Sequence, residues 1–223
     1  MPEKGSFVEI EPAHSKLAHG HEAWDPDWIE RRFTYQCVCN NEQCSEVAFV
    51  SGRGGVDQAY DFEGGAEYYD FRNIQSFFPA PDIIRLPEDI PREVEEQLKR
   101  SFSLYWIDVS AAANAMRASL EVLMDELKIP TTQKSDKGKV VQISLHRRIE
   151  LWAETHEDYA ELCFALKEVG NLGSHGERVR EKHYFGALEI YSHVLTQLFE
   201  NDAAKMKELA AKIRAEIKGK PVT

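Results

Sequence analysis

What this sequence lacks sets the first limits. No apolar run approaches the ~20 residues that a membrane-spanning helix requires, so an integral membrane protein is excluded as an expectation. Cysteine is scarce, four in 223 residues, too few for a disulfide scaffold and suited to a reducing compartment. The opening Met1-Pro2-Glu3-Lys4-Gly5 has no charged-then-apolar signal pattern, and the expectation is a cytoplasmic protein with no membrane partner. No repeat or low-complexity tract is present. Basic side chains are outnumbered, 27 against 38 acidic ones, for a net charge of −11. Such a balance argues against a broad electrostatic grip on nucleic acid, which needs clustered Lys and Arg.

That deficit is local. Residues 1–90 carry 7 basic and 17 acidic side chains, a net of −10, and residues 91–223 carry 20 and 21, a net of −1. Texture changes at the same place. The first part has short apolar runs and a glycine cluster at 52, 54 and 55, whereas the second is rich in Ala, Leu, Glu and Lys at helical spacing. Between them Pro79, Pro81 and Pro87 exclude a helix and predict an extended strap over 77–87. The expected organisation is an acidic N-terminal subdomain, 1–88, and a helical bundle, 89–223. The expected fold class is mainly α: five to six helices beside a small β or irregular, Cys-containing subdomain.

In the first part, residues 33–39 and 45–51 alternate apolar and polar as two short strands would, with the glycines at 52–55 turning the chain. Residues 1–30 read as loop, anchored by Trp24 and Trp28. In the second, helices are expected from Pro91, over 109–128, over 145–153, from Glu157, over 181–199 and over 202–218, with a polar loop at 131–139.

Cys37, Cys39 and Cys44 fall within eight residues. A structural zinc would need a fourth ligand, which His14, His19 or His21 could supply if the arm folds back. The alternative is a strand pair whose thiols are small buried hydrophobes. Cys163, between Leu162 and Phe164, reads as core.

The least ordinary stretch is Gly170-Asn171-Leu172-Gly173-Ser174-His175. Glycine inside a helix costs about 1 kcal/mol against Ala, so it implies a close approach or a helix end. Asn171 and His175 are spaced i, i+4 and share a helical face. On the second helix Asn114, Arg117 and Glu121 line up beside an apolar stripe. One reading brings Arg117, Asn171 and His175 to a common groove, the guanidinium holding a phosphate and the imidazole moving a proton. RNA cleavage needs little more, because the 2′-hydroxyl can be the nucleophile. The other reading pairs Arg117 with Glu121 and leaves Asn171 and His175 to cap a helix. Arg178, Arg180, Lys182 and His183 form a basic patch, which either meets RNA or pairs with acidic neighbours.

Three segments in order, Leu86–Pro91, Ala113–Glu121 and Gly170–His175, resemble a bacterial family of the HEPN superfamily, whose helical domain occurs alone or fused to restriction-system subunits. The similarity covers roughly residues 77–200. It implies a homodimeric helical bundle with a role in phage defence or nucleic-acid transactions, its partner an RNA or a restriction or defence-system protein. Many HEPN proteins are metal-independent ribonucleases whose motif is Arg, a polar residue, a spacer and His. Asn171 matches the polar position and His175 the histidine. Gly170 stands in place of the arginine, leaving Lys167 or Arg117 to supply the charge. Two expectations follow: a binding and assembly module without catalysis, or an endoribonuclease using His175 with Arg117 or Lys167.

Overall fold

The computed structural model describes residues 5–60, 65–174, 178–200 and 210–214. Contacts divide the chain into two compact units, residues 1–81 with 99–112 and residues 82–98 with 113–223, and each is described by itself.

The first unit is built on a four-stranded antiparallel sheet in the order β1-β2-β3-β4, with β1 at Val8–Ile10, β2 at Glu30–Val38, β3 at Val47–Tyr60 and β4 at Ala66–Phe78. A short helix α1, Ala13–Ala18, and one 3₁₀ turn, Pro26–Trp28, link β1 to β2. Two of these strands, of 14 and 13 residues, correct the expectation of a mainly α protein: the fold is mixed α/β. The glycines at 52, 54 and 55, expected to turn the chain, lie inside β3 and pair with both neighbours. At Gly54 the reason is crowding. A Cβ there would stand 2.9 Å from the Phe71 carbonyl oxygen and 3.7 Å from Glu9 Oε1, so a bare backbone lets side chains cross the strand. Arg31 from β2 reaches Asp70 on β4 at 2.7 Å, and Glu9 from β1 takes Arg72 of β4 at 2.9 Å. The apolar side of the sheet buries Phe33, Ala48 and Val50. Phe77 packs on Trp106, with ring centroids 5.2 Å apart. Trp28, expected as an anchor, is exposed.

The second unit is helical, and it shares its first two helices with the first unit, to which residues 99–112 belong. Helix α2 spans Arg92–Tyr105, α3 Val109–Glu126, α4 Leu145–Ala153, α5 Glu157–Ser174 and α6 Glu181–Phe199, all close to the bounds that the apolar spacing predicts. Residues 210–214, inside the expected sixth helix, are helical; the rest of that helix lies outside the described residues. Ala113, Met116, Leu120 and Leu123 of α3 are buried, as are Cys163 and Leu166 of α5 and Leu188, Tyr191 and Val194 of α6. Helix α5 packs against both α4 and α6. The stretch at 131–139, expected as loop, begins a hairpin of β5, Thr132–Lys134, and β6, Val140–Gln142.

Helix α3 ends in a compact cap. Lys128 takes φ 60°, and the Ile129 amide donates to the Met124 carbonyl at 3.0 Å, closing the last turn. Arg148 of α4, 5 % exposed, completes it. Its guanidinium donates to the carbonyls of Glu121 and Ile129, at 3.2 and 3.0 Å, and to Asp125 Oδ1 at 2.6 Å. The buried cation is tolerated because NH1 and NH2 both meet oxygens, although among the described residues its buried Nε has no hydrogen-bond partner. Among the described residues no helix is long and apolar enough to cross a membrane.

Candidate functional site

The Gly-Asn segment belongs to the last turns of α5, and α3 runs beside it. A Cβ added to Gly170 would overlap Arg117 Cβ and stand 3.0 Å from Cγ and Cδ. The glycine is therefore a notch in α5 that accepts the aliphatic stem of Arg117. Seated there, the guanidinium donates from Nε to Asn171 Oδ1 at 2.9 Å, and its NH1 meets Glu121 Oε1 at 2.7 Å. Arg117 keeps 26 % of its side chain exposed and Glu121 45 %, so the group is half-buried with one side open to solvent. Both readings of the sequence find a part here: Arg117 joins Asn171, and it also pairs with Glu121. Asn114, the third polar residue of that helix, is exposed. His175 lies outside the described residues.

One turn before Asn171, Lys167 places its Nζ 3.1 Å from His146 Nδ1 of α4 and 5.6 Å from the centre of the Phe164 ring. The other ring nitrogen, His146 Nε2, lies 3.4 Å from Glu150 Oε1, and Glu150 Oε2 also accepts from Arg147 at 2.9 Å. Hydrogen bonding to Arg147 holds the Glu150 carboxyl below the usual carboxylate range, with desolvation opposing and His146 and Arg147 charge assisting. The Lys167–His146–Glu150 row was not legible as a set, because its members come from two helices. The i, i+4 spacing of His146 and Glu150 was the available signal. Arg178 and Arg180 are exposed, and among the described residues no carboxylate pairs with either.

Two further titratable groups are buried, Cys163 on α5 and Tyr191 on α6. Burial pushes the Cys163 thiol up to about 12, leaving it neutral and inert. Burial likewise raises the Tyr191 phenol, with Ser119 opposing the shift. The Ser119 hydroxyl lies 3.1 Å from the phenol oxygen and donates to the Met116 carbonyl at 2.6 Å.

The N-terminal cysteines take a different course from the zinc reading. Cys37 sits half-buried on β2, and Cys39 and Cys44 are exposed in the connection to β3. Among the described residues no three His, Cys, Asp or Glu side chains gather as a metal site would require. The arm histidines have other partners. His14 meets Glu30 at 3.3 Å and His19 meets Glu11 at 2.8 Å, while the His21 ring lies 5.4 Å from that of Trp28.

Comparison with known families gives two matches. Residues 99–217 match the model of a domain of unknown function (DUF4145). The chain belongs to the DUF4145 family. Residues 1–79 match the model of a second domain of unknown function (DUF8608), so the sheet and the DUF4145 region come under separate family models. No curated protein and no solved structure matches the chain. Arg117, Asn171, Lys167 and His146 all fall within the DUF4145 region.

Proposed function

We propose that the chain is a HEPN-like binding and assembly module, working as a homodimer in a bacterial defence or nucleic-acid-processing system without chemistry of its own. The observation that carries this reading is the state of Arg117. In a phosphate-handling site the guanidinium donors point at the substrate. Here Nε is turned to Asn171 and NH1 to Glu121, and the stem fills the notch at Gly170. The polar residues picked out by the family resemblance are thus spent on locking α3 to α5. The test is incubation of several RNAs in EDTA with a large excess of the purified full chain. Intact RNA is the expected outcome; cleavage that His175→Ala abolishes overturns the reading.

A second reading, a metal-independent endoribonuclease, is favoured by one feature of the same geometry. The stem of Arg117 occupies the space beside Gly170, the position where the motif arginine is missing. His175 would then move the proton between the 2′-hydroxyl and the leaving oxygen, while Arg117 or Lys167 holds the phosphate and Arg178 and Arg180 extend the RNA contact. Cleavage in EDTA, lost in both Arg117→Ala and His175→Ala, is its expected signature.

A further inference from the structure

The two edges of the sheet are unequal. β1 closes one edge with three residues, and β4 leaves the other with 13. Along Ala66–Phe78 there is no proline and no lysine, the residues that most often blunt an exposed edge. Among the described residues, no main-chain group on the outer side of β4 has a hydrogen-bond partner. The strand is also exposed on its flanks, with Tyr68, Tyr69 and Phe78 open to solvent.

We propose that this edge pairs antiparallel with β4 of a second copy of the chain, about a twofold axis at Phe71, joining two four-stranded sheets into one. Charge decides the occupant and the register. Asp70 and Arg72 flank Phe71 and share one face, because side chains alternate along a strand. With Phe71 on the axis, Asp70 of each copy stands opposite Arg72 of the other, and Tyr68 stands opposite Ile74. Sliding by one two-residue step in either direction sets Asp70 on Asp70 or Arg72 on Arg72, which is destabilising.

The in-chain partners reinforce the match. Asp70 is held by Arg31 and Arg72 by Glu9, yet Asp70 keeps 52 % and Arg72 43 % of its side chain exposed. Pairing therefore extends the row Arg31–Asp70 into Arg72–Glu9 of the second copy with alternating sign. The bulge that sets Gly52 on Ile74 and Ser51 on Ser76 limits the regular ladder to residues 68–74. The three-residue β1 then leaves little edge for further growth, so assembly closes at a dimer. This inference concerns the sheet and stands apart from the function proposed for the helical unit.

The test uses the full chain in sedimentation equilibrium, with circular dichroism to confirm folding. Wild type is expected to dimerise below about 100 μM. Asp70→Arg and Arg72→Asp each place like charges across the axis and weaken the dimer at least about tenfold. An equimolar mixture of the two variants is then fully complementary and forms a heterodimer at least as tight as the wild-type dimer. Each variant loses its own in-chain pair, Asp70 with Arg31 or Arg72 with Glu9, and neither loss is restored in the mixture, so rescue there reads the contact across the axis. A monomeric wild type, single variants that dimerise like wild type, or a mixture that stays monomeric would each overturn the proposal. A wild-type dimer untouched by these changes removes the β4 pairing and leaves the assembly reading of the helical unit standing.

Discussion

Both units set a charged group against a glycine, and they give it very different weight. In the sheet, Glu9 and Arg72 meet beside Gly54 with Arg72 nearly half exposed; water screens the pair, and such contacts contribute roughly 0.2–1 kcal/mol. In the helical unit, Arg117 is wedged at Gly170, and Arg148 is almost fully enclosed. There the cost of an unpaired charge is high, so the partners matter more than the attraction itself. The same device organises a wet surface in one place and locks helices in the other.

The comparison can be broken most easily at Arg148. Arg148→Ala strips Asp125 and the carbonyls of Glu121 and Ile129 of their donor. It is expected to destabilise the helical unit by about 3 kcal/mol in urea unfolding. Next comes Gly170→Ala. The helix gains about 1 kcal/mol of propensity, but the new methyl overlaps the Arg117 stem, for a net loss of about 1–2 kcal/mol in thermal melting. Arg117→Gly in the same chain, which removes the overlapping Cβ together with the stem, should relieve that loss, a coupling that a double-mutant cycle reads directly. In the sheet, Arg72→Ala should cost about 0.5 kcal/mol, and a loss as large as that of Arg148→Ala would erase the difference between the two units.

Two chemical probes sharpen it further. A thiol reagent at pH 8 should label exposed Cys39 and Cys44 within minutes and leave Cys163 unmodified until unfolding. The smallest effect concerns acid. The Ser15 hydroxyl, followed by His19, holds the Glu11 carboxyl below its ordinary value against a desolvation cost. A lowered carboxylate stabilises the fold above its ordinary value, and that contribution is lost as pH falls through the lowered one. Nuclear magnetic resonance titration should show the Glu11 midpoint rising in Ser15→Ala.

Helices were the legible part of this fold. The apolar stripe Ala113, Met116, Leu120 and Leu123 and the proline at 91 are local signals, and local signals fix helix bounds. The sheet is legible only in part. Gly52, Gly54 and Gly55 look like a turn because glycine is poor in strands, and the Glu9–Arg72 bond beside Gly54 is a long-range contact. The alternation of Tyr68, Asp70 and Arg72 on one face with Tyr69 and Phe71 on the other was the signal that could have found β4. At the candidate site, the need for a close approach at Gly170 was legible, but its cause, a side chain 53 residues away in sequence, was not. The Arg148 cap was not legible, because its three acceptors are defined by the end of another helix.

That cap has a practical consequence for anyone redesigning the molecule. Between Asp125 and Arg148 the chain makes an excursion through β5 and β6, whose residues are exposed throughout. The Ile143 amide closes its base on the Thr131 carbonyl at 3.0 Å. With both ends of the excursion fastened by Arg148 and that bond, the tip at 135–139 is a surface loop on a fixed stem. It is the natural place to graft a label, an epitope or a whole reporter domain, since an insertion there leaves every helix with the neighbours it already has.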